Sequence, residues 1–313
     1  MEAPVKILLE SGLRDSLALE LVTGEAGLDR LLSTPRIQKP GLILTGLLEE
    51  LHNDRIQILG AAEVGFLNSL SREELKRSLD LFENAAVPAI IITRRLPAPD
   101  FLVSLCERKH IPLFRTPLNS SIVIEGVTKF LEDRLAPSAS VHGVLVDVLG
   151  VGILIIGKSG IGKSECALAL VARGYRLVSD DIVIIKKMPQ DILTGTSSDI
   201  IRYHMEIRGI GIVNIKDIYG ITAIREKKQM DIVIELVKWE DDSDYDRLGF
   251  EESTYGILGV ELPYMKIPVS PGRSLVTIVE VAARNQILKI MGHHSARNLK
   301  MQLDEAIKRQ EGK

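Results

Sequence analysis

Short apolar runs alternate with amphipathic segments through residues 1–135. The runs with the length of buried strands are Pro40–Leu44, Gln57–Leu59, Ala89–Thr93 and Pro112–Arg115. The segments with helical periodicity are Ser71–Phe82, Asp100–Arg108 and Ser120–Leu135. Ser71 and Glu74 have the spacing of a capping box at the start of the first of these helices. This alternation predicts an α/β domain with a largely parallel sheet.

The segment Ala136-Pro137-Ser138-Ala139-Ser140 interrupts this pattern, because it is small, polar and broken by proline. We therefore predict an N-terminal α/β domain of unknown role at residues 1–135. A second domain is predicted at residues 136–313, also of the α/β class.

The second half begins with two apolar runs, Gly143–Asp147 and Val151–Ile156, which Leu149-Gly150 separates. They predict a hairpin or a bent strand that leads into a glycine-rich loop. Further strands are predicted at Leu177–Ser179, Ile182–Lys186 and Ile232–Leu236, and helices at Ser164–Arg173, Ser274–Ile290 and His293–Arg309.

Composition narrows the functional classes. The formal net charge of −3 supplies no overall basic field, so no nucleic-acid partner is predicted. Two distant cysteines, Cys106 and Cys166, form neither a disulfide framework nor a zinc motif, which is typical of a reducing compartment. The N-terminus lacks a signal-peptide pattern, and the apolar run Val151–Ile156 is too short to cross a bilayer. We expect a cytoplasmic protein with no membrane partner.

The glycine-rich loop matches the phosphate-binding pattern G-x-x-x-x-G-K-[ST]. Its residues are Gly157, Lys158, Ser159, Gly160, Ile161, Gly162, Lys163 and Ser164. An apolar strand precedes the loop and a helical segment follows it, as the mechanism requires. Lys163 could reach the outer phosphates, and the hydroxyl of Ser164 could bind magnesium. For Lys158 an ordinary solvated loop lysine is the simpler interpretation.

Asp180 and Asp181 follow the predicted strand at Leu177–Ser179. Two adjacent carboxylates at a strand end are costly without a partner, so one could orient magnesium while the other accepts a proton from an attacking hydroxyl. An ordinary acidic turn is the alternative. The position directly after a phosphate loop and its helix favours the functional interpretation.

Four other features are ambiguous by themselves. His142 could be a surface histidine. The segment Met205–Asn214, which contains Glu206, Arg208, Gly209 and Gly211, could be a loop beside a ligand or a strand with a bulge. Arg247 lies in an acidic stretch and could pair with a neighbour. The arginine of the turn-rich loop Pro268–Arg273 could hold an oxyanion or be solvated.

Together, these motifs resemble the bacterial HPr kinase/phosphorylase family, and the resemblance covers nearly the whole chain. It implies a catalytic domain like the nucleotide core of phosphoenolpyruvate carboxykinases. It also implies that Asp181 is the catalytic base, with His142, Lys163 and Arg247 at other active-site positions. Ser164 and Glu206 match the magnesium positions. Met205–Asn214 matches a loop used in both reactions, and Pro268–Arg273 one used mainly in dephosphorylation.

The same resemblance implies a homohexamer that phosphorylates a serine of the phosphocarrier HPr. The donor would be Mg-ATP or pyrophosphate, and inorganic phosphate would remove the phosphoryl group. The sequence leaves two other hypotheses open. One is a kinase of the same core that acts on a different protein or on a small molecule. The other is a nucleotide-binding regulator without catalytic activity.

Overall fold

The computed structural model describes residues 2–45, 51–239, 253–270 and 272–302. The chain divides into two compact units, Met1–Ala136 and Pro137–Lys313. Within the described residues, no helix is both long enough and apolar enough to cross a membrane.

In its described residues, the first unit contains seven strands and six α-helices. The strands are β1 (Ala3–Pro4), β2 (Glu20–Thr23), β3 (Leu31–Leu32), β4 (Ile37–Gln38), β5 (Ile56–Leu59), β6 (Ile90–Ile92) and β7 (Leu113–Arg115). The helices are α1 (Ser11–Leu17), α2 (Gly41–Leu44), α3 (Ala61–Ser69), α4 (Arg72–Ala85), α5 (Asp100–Lys109) and α6 (Ser120–Leu135). Short 3-10 helices lie at Val5–Leu9 and Glu25–Gly27.

The main sheet of this unit has the order β2-β7-β6-β5-β4, and β1 pairs separately with β3. Strands β4 to β7 are parallel and only β2 is antiparallel, so the prediction of a largely parallel sheet is confirmed. One face packs against α1 and α6, and the other against α2 to α5. The predicted capping box is present, because the Ser71 amide donates to Glu74 Oε2 at 2.9 Å.

The prediction of a strand at Pro40–Leu44 is wrong, because this segment forms the short helix α2. The Leu44 amide donates to the carbonyl of Pro40 at 2.9 Å, which closes a helical turn. Proline is tolerated at a helix start, where its missing N–H would have no partner in any case. A short apolar run has no periodicity that separates a buried helical turn from a buried strand, so the sequence pattern could not decide.

Twelve strands lie in the described part of the second unit. They are β8 (Ser138–His142), β9 (Val144–Val148), β10 (Val151–Gly157), β11 (Arg176–Ser179), β12 (Ile182–Met188), β13 (Ile192–Thr196), β14 (His204–Ile207), β15 (Gly211–Asn214), β16 (Lys227–Gln229), β17 (Ile232–Lys238), β18 (Ser253–Ile257) and β19 (Val260–Val269). Its α-helices are α7 (Lys163–Ala172), α8 (Ile215–Tyr219) and α9 (Leu275–Ile290), with 3-10 helices at Pro189–Asp191 and Ile221–Ala223. Residues 295–302 are also helical.

A six-stranded sheet with the order β11-β9-β10-β17-β19-β18 forms the centre of this unit. Helices α7 and α9 contribute to the apolar core on one face. The other face packs on a four-stranded sheet with the order β16-β13-β12-β8. Strands β10, β17 and β19 run parallel, and β11 runs parallel to β10 because each pairs antiparallel with β9. The carboxyl ends of these four strands therefore share one edge, where open α/β sheets bind ligands.

The predicted strands of this unit and the helices Ser164–Arg173 and Ser274–Ile290 are present. Of the predicted helix His293–Arg309, residues 295–302 are helical, and residues 303–309 lie outside the described part of the chain. The two apolar runs form the hairpin β9–β10, whose turn residues Leu149 and Gly150 both have positive φ. The amide of Gly174 donates to Val171 O and that of Tyr175 to Leu170 O, which is the pattern of a glycine C-cap for α7. The segment Ser138–Ser140, predicted as part of the boundary between the domains, belongs to strand β8, because β12 offers it a pairing partner that sequence alone could not identify.

Candidate active site

The glycine-rich loop connects β10 to α7 and forms a turn that other residues could not adopt without strain. Gly157, Gly160 and Gly162 have φ angles of +142°, +78° and +105°. A Cβ atom at Gly157 would lie 2.5 Å from the carbonyl oxygen of Leu236 on β17, so only glycine fits there. The loop thus presents the first backbone N–H groups of α7 and the positive end of its dipole at the carboxyl edge of the sheet.

Lys163 folds back over this loop. Its ammonium group donates to the carbonyls of Gly157 at 3.0 Å and Lys158 at 3.2 Å. A cation held in this position lies beside the concavity of backbone amides and adds a point charge to it. The arrangement is suited to a polyphosphate.

Asp180 lies at the carboxyl end of β11 and is joined to the start of α7. The Ser164 hydroxyl donates to Asp180 Oδ1 at 2.9 Å, and the backbone amides of Glu206 and Asp181 also donate to this carboxylate. Asp180 is only 5% exposed. Burial raises its pKa above the ordinary value, the three hydrogen bonds oppose that shift, and the neighbouring charge of Asp181 adds to it.

Asp181, unlike the buried Asp180, is exposed to solvent. Its side chain is 74% exposed, and its φ of +69° is in the left-handed region, which is uncommon outside glycine. The Nδ1 atom of His142 lies 3.7 Å from Asp181 Oδ1. Pairing of β8 with β12 places His142 opposite Ile182, and the Gly143 amide donates to the Asp181 carbonyl at 2.9 Å. The structure therefore brings together two predicted site residues that are far apart in sequence.

The segment Met205–Asn214 is an antiparallel hairpin, β14–β15, and so neither a loop nor a single bulged strand. Its turn is closed by the Ile210 amide, which donates to Ile207 O at 3.0 Å, and Gly209 and Gly211 have positive φ. Met205 anchors the hairpin in the apolar core. The sequence did not reveal this hairpin, because the turn lacks a two-residue signal such as Asn-Gly or Asp-Gly. Its glycines, Gly209 and Gly211, are separated by Ile210.

The turn of this hairpin reaches the phosphate loop. A Cβ atom built on Gly160 would lie 2.8 Å from Arg208 Nη2 and 2.9 Å from Nη1. The guanidinium group of Arg208 therefore lies directly against the loop and adds a second cation beside Lys163. Such a planar group can bind two phosphate oxygens at once.

The oxygen atoms around Ser164 fit magnesium better than a metal that needs a complete protein cage. Ser164 and Asp180 are in hydrogen-bond contact, and the backbone of Glu206 is bonded to the same carboxylate. Throughout the described part of the chain, no group of three or more His, Cys, Asp or Glu side chains could hold a metal ion. Magnesium commonly binds one or two carboxylates and completes its shell with phosphate oxygens and water, so these residues suit it.

Of the remaining predicted site residues, the structure describes Pro268 and Arg273. Pro268 lies within β19 rather than in a loop, because it continues the pairing with β17 up to Val269. After the strand, the Arg273 amide donates to Ser270 O at 3.2 Å, and its guanidinium approaches Pro268 O at 3.5 Å. Since β19 is parallel to β17 and β10, this turn leaves from the same sheet edge as the phosphate loop. Arg247 lies outside the described residues.

Sequence reasoning missed Ser179. Its side chain is almost fully buried beside the acidic pair and donates to Ile182 O at 2.6 Å. The available signal was a serine immediately before two acids at a strand end, since serine hydroxyls often bond to backbone groups of a following turn.

Comparisons with known proteins agree over both units. A sequence model of the HPr serine kinase N terminus matches residues 9–131, and one of the HPr serine kinase C-terminal domain matches residues 133–303. The chain is 53% identical over 281 residues to an HPr kinase/phosphorylase from Geobacter sulfurreducens, covering 90% of this chain and 88% of that protein. It is 43% identical over 289 residues to the HPr kinase/phosphorylase from Bacillus subtilis, covering 92% of this chain and 93% of that one.

Among solved structures, the Hpr(Ser) kinase/phosphatase from Coxiella burnetii is 33% identical. The match covers 51% of this chain and 98% of that one, with a TM-score of 0.47. The resemblance inferred from the motifs is confirmed by the family models and the sequence relatives: the chain belongs to the HPr kinase/phosphorylase family.

Proposed function

We propose that this protein phosphorylates a serine of HPr and also removes that phosphoryl group with inorganic phosphate. The observation that carries the proposal is the sheet edge where the phosphate loop, the buried Asp180 and the exposed Asp181 meet. One carboxylate is bonded to the loop's serine, whereas the other is free to meet a hydroxyl from outside. An exposed carboxylate beside a buried one suits a kinase whose acceptor is a protein rather than a small molecule enclosed in a pocket.

The phosphate groups of the donor would be held by the chain's cations and amides. The backbone N–H groups at the start of α7 bind phosphate oxygens, and Lys163 exchanges its two carbonyl partners for them. Arg208 contributes from the hairpin side, where it already contacts Gly160. Phosphoryl transfer depends mainly on such positioning and charge neutralisation, so this cradle supplies much of what the reaction needs.

Ser164, Asp180 and Glu206 would hold magnesium at the same edge. When bound there, Mg²⁺ neutralises phosphate charge during transfer. Binding would also compensate the buried charge of Asp180, whose pKa is raised chiefly by burial. The hydrogen bond from Ser164 orients that carboxylate in advance.

Asp181 would act as the base in the kinase direction. It accepts the proton of the serine hydroxyl as the oxygen attacks the terminal phosphorus of the donor, and the bond from that phosphorus to the donor's bridging oxygen breaks. In the reverse direction an oxygen of inorganic phosphate attacks the phosphoserine phosphorus, forming pyrophosphate. Protonated Asp181 then returns its proton to the departing serine oxygen. His142, 3.7 Å away, would orient the carboxylate.

Arg247 would complete the active site, and Pro268 and Arg273 would form part of the segment used mainly for phosphorolysis. ATP and pyrophosphate are both compatible with a cradle that contacts only phosphate groups. The family resemblance also leads us to propose a homohexamer.

The test is intact-mass analysis of purified HPr incubated with the protein and Mg-ATP, followed by addition of inorganic phosphate. Wild type, Asp181→Ala and Lys163→Ala would be compared. We expect wild type to add one phosphoryl group and phosphate to remove it, whereas the Asp181 variant does neither but still binds nucleotide. If wild type binds nucleotide without modifying HPr, the proposal fails. Transfer to another acceptor would then indicate a kinase with a different substrate, and no transfer a nucleotide-binding regulator.

A further inference from the structure

The connection between β11 and β12 is a tight turn centred on Asp181. The Ile182 amide donates to the carbonyl of Asp180 at 2.9 Å, and Asp181 between them has a φ of +69°. A three-residue turn closed in this way is a γ-turn, and the form with positive φ at its centre is rare and strained. Such a conformation persists only where surrounding contacts hold it.

Both backbone polar groups of Ile182 lack a partner from the neighbouring strands. The Gly143 amide bonds to Asp181 O, and hydrogen-bonded pairs alternate with non-hydrogen-bonded pairs in an antiparallel ladder. The next pair, Ile182 with His142, is therefore of the non-hydrogen-bonded kind, so the N–H and C=O of Ile182 point away from β8. On the other side of β12, pairing with β13 ends at Ile184 and Thr196. The ladder thus stops before it reaches Ile182.

Ser179 supplies the missing partner for the carbonyl. Its hydroxyl donates to Ile182 O at 2.6 Å, and the residue is only 2% exposed, so water competes little for this bond. The bond closes a ring from Ser179 to Ile182 that contains both acidic residues. Together with the bond from Gly143 to Asp181, it holds the turn from two sides.

We propose that Ser179 is a positioning residue for phosphoryl transfer, acting through Asp181. The catalytic part of this inference rests on the proposed function. Ser179 is placed to hold the backbone that presents the carboxylate, and it would contact neither the donor nor the acceptor. Loss of its hydroxyl lets the turn relax from positive φ, which moves the Asp181 carboxylate relative to the phosphate loop.

The consequence is a specific kinetic pattern. One buried hydrogen bond corresponds to a change of about three- to tenfold in kcat. Because Asp181 serves both directions, Ser179→Ala lowers the kinase and phosphorylase kcat by a similar factor. The KM for the nucleotide stays unchanged, since Lys163 and the glycine loop are not altered. Ser179→Thr, which restores a hydroxyl, recovers most of the rate.

A double-mutant cycle separates positioning from general destabilisation. Ser179→Ala would be measured in wild type and in Asp181→Asn, with Ser140→Ala on the exposed side of β8 as the matched control. We expect a loss of rate in wild type, no further loss in the Asp181→Asn background, and no effect of the control. An unchanged rate in wild type, or an equal loss in both backgrounds, would overturn the inference.

Hydrogen exchange of the Ile182 amide tests the geometry without HPr. This amide closes the turn, so Ser179→Ala should accelerate its exchange, whereas Ser140→Ala should not. Unchanged exchange would overturn the inference even if catalysis could not be measured. Accelerated exchange in a protein whose wild type fails to modify HPr would instead support the positioning geometry and refute the proposed function.

Discussion

Replacing Asp181 should separate the stability of the fold from its activity. Asp181 combines an exposed carboxylate with a left-handed backbone conformation at φ +69°. Asp181→Gly and Asp181→Ala both remove the carboxylate, but only glycine relieves the backbone strain. The comparison between the two variants therefore isolates the strain, because the lost charge and its interaction with His142 are common to both.

The expected magnitude follows from two opposing terms. A residue with a Cβ atom in the left-handed region costs about 1–2 kcal/mol relative to glycine. Glycine in turn makes the unfolded chain more flexible, which costs about 0.4–1 kcal/mol relative to alanine. The glycine variant should thus be more stable than the alanine variant by about 0.8 kcal/mol, within a range of about 0–1.6 kcal/mol. At an ordinary helical or extended position, the order would be reversed.

The assay is urea unfolding followed by tryptophan fluorescence. Trp239 is the only tryptophan in the sequence, and it lies in the second unit, so it reports on the unit that contains the site. If the alanine variant were the more stable one, the inference of a strained backbone at Asp181 would be wrong. The phosphoryl-transfer rates supply the second half of the test. Both variants should lose about 10²–10⁴-fold of the rate in each direction, and substantial activity in either would refute the role of Asp181 as base.

Three further predictions concern the loop, the buried carboxylate and the first unit. Gly160→Ala should weaken phosphate binding, measured by calorimetry, more than Gly162→Ala, because only a methyl group at position 160 would displace Arg208. Both glycines have positive φ, so equal losses of affinity would contradict the contact between Arg208 and Gly160. Burial raises the pKa of Asp180, so the stability that its protonated form contributes is complete below the unfolded pKa of about 4 and disappears as pH rises through the folded pKa. The unfolding free energy of Asp180→Asn relative to wild type should therefore increase with pH, and parallel curves from urea unfolding at several pH values would refute this. Ser71→Ala should destabilise the first unit by about 1 kcal/mol, measured by denaturation followed by circular dichroism, because the capping box is lost. A concurrent loss of phosphoryl transfer would contradict a purely local effect.

Features that depend on neighbouring residues in the chain could be predicted from the sequence. The capping box at Ser71, the β9–β10 hairpin and the strand, loop and helix around Gly157–Ser164 all appear where the pattern placed them. Each follows from backbone chemistry within a few residues: a side chain that bonds a nearby amide, or a glycine that permits positive φ. The apolar stretch at Pro40–Leu44 marks the limit, since a run that short fits either a strand or a helical turn.

The arrangement of the site depended on contacts between distant residues. His142 meets Asp181 only because β8 pairs with β12 in one register, and a shift of one residue would turn His142 to the other face. Arg208 reaches Gly160 only because Met205 anchors its hairpin in the core. The sequence by itself determined that a phosphate loop and an acidic pair exist, because those motifs are local. The tertiary structure decided that Asp180 is buried against Ser164 and that Asp181 faces solvent, because strand register and burial are set by packing across the whole unit.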